Sequence, residues 1–233
     1  MRRGYPPPMQ VATILLPLLA LQGGKLQITD QKVGKGPAAK AGDYLVMNYT
    51  GTLMNGKKFD SSKDPGRSPF MFKLGAGQVI QGWDKGIVGM KVGGKRTLII
   101  PSAMGYGDQG TPDGSIPPKS TLKFVVELLE IPSVKITTTK AGKGDPAKDG
   151  DTVTLHYKGM FKDGKEFDSS YKRGEPMPVM LGSGRTVPGF EMGLKGIREG
   201  EKRKIVIPWA LAYGEQGRPP VIQSRIGRNG QIP

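Results

Sequence analysis

Cysteine is absent from the 233 residues, which excludes disulfides, thiol nucleophiles and zinc–thiolate sites. Histidine occurs once, as His156 beside Tyr157 in a strand-like alternation. With no second imidazole there is no histidine metal cluster or histidine-based triad, so His156 reads as a surface or packing residue, and no metal or cofactor is expected. Acidic residues are scarce, 20 against 35 Lys and Arg, leaving a net charge of +15. Such a balance suits acidic partners, among them nucleic acid, a membrane surface or client polypeptides. The basic residues are dispersed through turns such as Lys57-Lys58 and Lys202-Arg203-Lys204. They show neither the aromatic interleaving of a single-strand binder nor a recognition helix, so no specific nucleic acid is expected. Long helices are disfavoured too, because 36 Gly and 20 Pro punctuate short apolar runs.

What is present is one pattern written twice. Gly56-Lys57-Lys58-Phe59-Asp60-Ser61-Ser62 returns as Gly164-Lys165-Glu166-Phe167-Asp168-Ser169-Ser170, with Phe59 and Phe167 lying 108 residues apart. Tyr49-Thr50-Gly51 answers to Tyr157-Lys158-Gly159, Gly82-Trp83-Asp84 to Gly189-Phe190-Glu191, and Tyr106-Gly107 to Tyr213-Gly214. A period this long exceeds that of solenoid repeats and matches tandem globular domains. The expected organisation is an extension at 1–24, a first domain at 25–132 and a second at 133–233, with only Ile131-Pro132-Ser133 between them.

The extension carries Arg2 and Arg3, then Pro6-Pro7-Pro8, then the uncharged apolar stretch Val11 to Leu21. Eleven residues are too few to span a bilayer but fit the core of a secretory signal. Export to a periplasm or out of the cell is therefore expected if 1–24 acts as a signal, with membrane contact only through 11–21 if it is uncleaved, and a cytoplasmic location otherwise.

Within each repeat the periodicity is that of strands. Tyr44 to Thr50 alternates, with Leu45, Met47 and Tyr49 on one face, and Thr97 to Ile100 and Leu122 to Leu129 form further runs. Gln81 to Val88 reads as a short helix that lays Trp83 and Ile87 on the sheet. The fold class is α+β, an antiparallel sheet curled around one short helix in each domain. Two motif matches carry no function: Gly89 to Arg96 mimics a phosphate loop but ends in Arg and precedes a strand, and the glycosylation triplet Asn48-Tyr49-Thr50 lies mid-strand.

Tyr49-Thr50-Gly51, Gly56 to Ser62, Val79-Ile80-Gln81-Gly82-Trp83, Tyr106-Gly107, Ile116-Pro117-Pro118 and Leu122-Lys123-Phe124 together resemble the FKBP-type peptidyl-prolyl isomerases. The likeness covers nearly all of 25–132 and is thinner over 133–233. It implies a half-barrel sheet around a short helix, with an apolar pocket that holds a prolyl ring. Proline-containing polypeptides would be the partners, macrolide inhibitors possible ligands, and the chain a monomer. By resemblance Trp83 floors the pocket, walled by Tyr49, Phe59, Phe70, Val79, Ile80, Ile116 and Phe124. Tyr106 donates its hydroxyl, and Ile80 its backbone N–H, to substrate carbonyls, while Asp60 accepts from Tyr49. Taken singly, Trp83 and Phe124 read as core and Asp60 as a turn cap; the joint spacing favours a site.

The second repeat keeps Tyr157, Phe167, Asp168, Tyr213 and Ile222 but has Met177 for Phe70, Thr186 for Val79, Val187 for Ile80 and Phe190 for Trp83. A looser, more polar pocket is expected. After Ile222 the likeness ends, and Gln223 to Pro233 cannot make an apolar strand. Codons compatible with that tail can spell an alternating strand one base along, a matter for the nucleotide sequence. The second domain should then be the less stable one, because it lacks a strand and the cover that strand gives the core. Two readings of function stand: an isomerase acting on X-Pro bonds, and a non-catalytic chaperone or scaffold that holds proline-containing segments.

Overall fold

The computed structural model describes residues 24–222, so the expectations for Val11 to Leu21 and for the tail Gln223 to Pro233 lie outside the described residues. In chain order the first half contains β1 (Gln27–Lys32), β2 (Tyr44–Leu53), β3 (Lys58–Ser61), β4 (Phe70–Lys73), helix α1 (Gln81–Gly86), β5 (Lys95–Ile100) and β6 (Leu122–Glu130). These six strands form one antiparallel sheet in the order β1-β5-β6-β2-β3, with β4 also paired to β2. Strand β2 bends the sheet: its first half pairs β4 from Tyr44 to Met47, its second half pairs β3 from Thr50 to Thr52, and its other edge carries β6.

Alternation decides which face is inside. Along β6, Leu122, Phe124, Val126 and Leu128 are buried while Lys123 is exposed, and along β5 Leu98 and Ile100 face inward. Helix α1 closes on that face with Trp83 and its C-cap residue Ile87, two residues shorter than the expected span to Val88. The helix can come so near because it presents glycines to β5. A Cβ on Gly82 would lie 2.4 Å from the side chain of Ile100, and one on Gly86 would lie 2.8 Å from Leu98. At the helix's carboxyl end the buried Arg96 on β5 donates to the carbonyls of Gly86 and Val88 and to the Asp30 carboxylate on β1. This satisfies terminal helix carbonyls and the guanidinium together. The segment resembling a phosphate loop leads into β5, and Asn48 to Thr50 sit inside β2.

The second half contains β7 (Lys135–Lys140), β8 (Thr152–Leu155), β9 (Lys158–Met160), β10 (Glu166–Ser169), α2 (Ser170–Arg173), β11 (Met177–Met180), α3 (Pro188–Leu194) and β12 (Lys202–Val206). The pairings repeat those of the first half: β12 with β7 as β5 with β1, β11 with β8 as β4 with β2, and β10 with β9 as β3 with β2. Helix α3 packs on β12 in the same way, with a Cβ on Gly193 falling 2.5 Å from Ile205. Two details differ from the single sheet and single helix expected of each domain. The second half has an extra one-turn helix, α2, and its strands stand as three two-stranded ladders. The physical reason is the missing role of β6: among the described residues no strand joins the counterparts of β2 and β5, and the long strand breaks into β8 and β9 at His156 and Tyr157. His156 is a packing residue there, stacked at 4.5 Å on Tyr171 with Nδ1 3.1 Å from Ser170 Oγ.

The cores follow. Among the described residues the first half buries a cluster of seventeen, whereas the second buries a cluster of Val179, Leu181 and Leu194, with Ala210 and Leu211 buried apart from it. Stability from burial scales with apolar area removed from water, so the second half should unfold first. The chain holds two tryptophans, Trp83 in the first half and Trp209 in the second, which makes the order measurable. Urea unfolding followed by fluorescence should give a lower midpoint in Trp83→Phe, where Trp209 reports, than in Trp209→Phe, where Trp83 reports. Coincident midpoints would show that the two halves unfold as one.

Candidate active site

The ring cluster in the first half arises from register. Tyr49 on β2 and Phe124 on β6 point to the inner face from neighbouring strands, and α1 drops Trp83 between them. The indole lies 5.3 Å from the Tyr49 ring and 5.3 Å from the Phe124 ring, both edge-on. Tyr49, Trp83 and Phe124 are buried, as is Ile116. Phe59 meets Phe124 edge-on at 5.5 Å, and Phe70 meets Tyr49 at 6.1 Å and Trp83 at 6.2 Å. Gly51 makes room for this arrangement, since a Cβ there would fall 2.6 Å from the Phe59 ring and 2.8 Å from that of Phe124. Val79 and Ile80 are partly buried against the same cluster. Ile80 is the N-cap of α1, and no acceptor among the described residues takes its N–H.

The cluster is open on one side. Phe70 is 38% exposed and Tyr106 41% exposed, while the floor beneath them is nearly dry. Trp83 Nε1, a donor with no acceptor function, is buried and makes no hydrogen bond among the described residues. The polar edge is built around Asp60. Tyr49 Oη donates to Asp60 Oδ2 at 2.5 Å, and Arg67 donates to Asp60 Oδ1 at 3.1 Å and to Tyr49 Oη at 3.3 Å. Burial pushes the Tyr49 phenol up to about 12, and the hydrogen bond to Asp60 adds to the effect. The Tyr106 phenol is likewise raised, first by burial and then by the charge of Asp60, so both phenols remain neutral donors at physiological pH.

Nine of the ten residues named for the first cleft meet through ring contacts, packing or hydrogen bonds, and Tyr106 is linked to them by the effect of the Asp60 charge on its phenol. Two further residues went unrecognised in the sequence. Phe72 is buried, stacks on Phe70 at 5.6 Å and tilts against Trp83 at 5.6 Å, yet it looks like ordinary strand alternation. Arg67 closes the Tyr49–Asp60 pair, but its spacing from Asp60 is not kept in the second repeat.

There Tyr157 Oη donates to Asp168 Oδ2, and Arg173 contacts Asp168 Oδ1 and donates to Tyr157 Oη at 2.9 Å. The hydrogen bond from Tyr157, followed by that from Arg173, holds the Asp168 carboxyl below the usual carboxylate range. The polar triad is thus rebuilt, with its arginine supplied by α2 instead of a loop. The apolar floor is not. Phe190 tilts on Tyr157 at 5.6 Å, Phe167 meets Tyr213 at 6.4 Å, and Val179 occupies the place of Phe72. Met177 and Val187 are only partly buried, Thr186 Oγ1 reaches Glu191 at 3.5 Å, and Ile222 bridges Arg218. A cleft of about 490 Å³ is lined by Phe167, Asp168, Tyr213 and Ile222 with Arg173 and Arg218, whereas Tyr157, Met177, Thr186, Val187 and Phe190 do not line it.

Residues 36–129 and 143–226 each match the family described as FKBP-type peptidyl-prolyl cis-trans isomerase. Over 187 residues the chain is 42% identical to human peptidyl-prolyl cis-trans isomerase FKBP10, covering 78% of this chain and 32% of that protein. It is 35% identical over 234 residues to rat peptidyl-prolyl cis-trans isomerase FKBP9, covering 96% of this chain and 40% of that protein. The chain thus spans well under half the length of these curated relatives. Among solved structures, FkpA from Escherichia coli is 47% identical over 45% of this chain and 47% of its own, with a TM-score of 0.41.

The state of the Tyr49 phenol is directly testable. In an ultraviolet phenolate titration Tyr49 should ionise near pH 12, and folding stability should be undiminished below pH 10 and fall as the pH rises from there, because the folded state favours the neutral phenol. Asp60→Asn should lower the Tyr49 value without restoring it to 10, since burial is the larger cause. Full restoration to 10 would show that the carboxylate alone sets it.

Proposed function

We propose that the chain, which belongs to the FKBP-type peptidyl-prolyl cis-trans isomerases, turns X-Pro bonds between their cis and trans forms in the cleft of its first repeat. The observation that carries this reading is a dry floor of Tyr49, Trp83 and Phe124 that meets the exposed ring of Phe70, with the exposed Tyr106 phenol within the influence of Asp60. The two repeats, 25–132 and 133–233, are read as two domains, the first catalytic and the second a weaker site.

Rotation of an X-Pro bond is opposed by roughly 18–20 kcal/mol because amide resonance holds it planar. A turnover on the order of a thousand per second requires lowering that barrier by about 7 kcal/mol. The planar amide is charge-separated and well solvated by water, whereas the twisted amide is less polar. A cleft floored by rings removes that solvation and favours the twisted form. Rotation breaks no σ bond, so neither a nucleophile nor a proton transfer enters. In this reading the Tyr106 hydroxyl and the Ile80 N–H hold carbonyls of the segment, fixing one side while the other turns. Asp60 and Arg67 keep the Tyr49 phenol oriented, an electrostatic and positional role. The unpartnered Trp83 Nε1–H offers a further donor to a bound carbonyl, relieving a cost of about 1–3 kcal/mol.

The partners are polypeptides with exposed proline, and the apolar cleft accommodates macrolide inhibitors of the family. The sequence of Val11 to Leu21 supports export, which would place the activity among folding secreted proteins. A protease-free assay on a blocked X-Pro peptide tests the reading. Tyr106→Phe should lower kcat/KM by about two- to tenfold through loss of one hydrogen bond, with the fold unchanged. Trp83→Phe, which installs the second repeat's residue, should lower it as well. Undiminished protection of an unfolded client by a wild-type chain that isomerises nothing would favour the non-catalytic holder instead.

A further inference from the structure

The two clefts differ most sharply in the charge of one loop. In the first repeat the segment from Gly107 to Ser115, between Tyr106 and Ile116, carries Asp108 and Asp113 and no base. The Asp113 carboxyl is held below the ordinary carboxylate range by hydrogen bonds from Thr111 and Ser115, so it remains charged. In the second repeat the segment from Gly214 to Val221, between Tyr213 and Ile222, is one residue shorter and carries Glu215 and Arg218. Arg218 lines the second cleft beside Phe167, Tyr213 and Ile222.

The other charges of that cleft are already matched. Both oxygens of Asp168 are engaged, one by Tyr157 and one by Arg173. Arg218 makes no ion pair and no side-chain hydrogen bond among the described residues; its backbone alone pairs with Ile222. The cleft wall thus presents one guanidinium that has no counter-ion among the described residues, where the first repeat presents two carboxylates on the equivalent loop.

We propose that the second cleft selects proline-containing segments in which an acidic residue flanks the proline, and that Arg218 determines this preference. The inference rests on reading the second cleft as a proline-binding site. A guanidinium at the edge of a partly apolar cleft pairs with a carboxylate in a directed, charge-assisted geometry. The acidic loop of the first cleft repels the same segment, so the chain sorts its clients by the residue next to proline. The second site needs no catalytic power for this, which accords with the loss of its indole floor.

The test uses the full chain labelled for nuclear magnetic resonance. It is titrated at low salt with two blocked peptides that differ only in Glu or Gln beside the proline. Amide signals of Phe167, Tyr213 and Val221 report the second cleft, and the Trp83 indole signal reports the first. The Glu peptide should bind the second cleft about two- to fivefold more tightly than the Gln peptide, the range of an exposed ion pair. That preference should vanish in Arg218→Gln and fade with salt, and it should persist in Arg185→Gln, which removes an exposed arginine outside the lining. Equal binding of both peptides, or a preference that survives Arg218→Gln, overturns the inference while leaving the second cleft a proline site. If neither peptide moves the second-cleft signals, the reading beneath it falls too; the Trp83 signal tests the first cleft independently.

Discussion

Strand β6 is the constraint on which the first repeat depends. It lies between β5 and β2 and pairs with both along most of its length, so among the described residues it is the strand that makes one sheet of the two sides. It also delivers Phe124 to the floor of the cleft, edge-on to Trp83. Sheet closure and cleft construction are thus one event. If the β6 pairing loosened, the indole would lose a wall, and β2 would lose the partner that keeps Tyr49 in register with it.

The second repeat shows what happens when that strand's role goes unfilled among the described residues. Its local pairings survive, because each ladder needs only its two strands and a turn. The helix still docks through Gly193, and Arg203 still caps helix carbonyls at Gly193 and Lys195. The carboxylate that partners this arginine comes from Glu201 next to β12, whereas Arg96 takes Asp30 from β1. The capping requirement is therefore the conserved physical demand within this molecule, and the source of the carboxylate is free. What fails is the long-range part: the strand equivalent to β2 divides at His156 and Tyr157, and the buried cluster shrinks to three residues.

The sequence made legible whatever repeats at constant offset. Tyr49 with Asp60, Trp83 on its helix and Tyr106 beyond β5 are each echoed about 108 residues later, and Tyr49 meets both Asp60 and Trp83 in space. Strand alternation placed Leu45, Met47 and Tyr49 on one face, and all three are buried. Arg67 escaped because it stands seven positions beyond Asp60 in a loop, whereas Arg173 stands five positions beyond Asp168, four of the five forming α2. The shared element is a guanidinium position, which sequence spacing does not encode when two backbone routes lead to it. Phe72 escaped for another reason. An aromatic residue two positions from another on a strand shares its face by default, so nothing in the pattern separated a second pocket ring from core.

The two clefts also separate two contributions that the first repeat combines. Tyr, Asp and Arg recur in both with closely similar contacts, while the indole, Phe70 and Phe72 belong to the first alone. If the first cleft rotates proline and the second merely holds it, as proposed above, the polar triad is not what distinguishes them. Its hydrogen bonds orient a phenol, and each contributes on the order of 1 kcal/mol to doing so. The several kcal/mol needed to twist an amide must come from the environment that strips water from it, and that environment is the buried ring floor. On the proposed function, desolvation outweighs the directed hydrogen bonds as the source of rate. Charge at the rim, which acts across a wetter distance, is left to choose the segment.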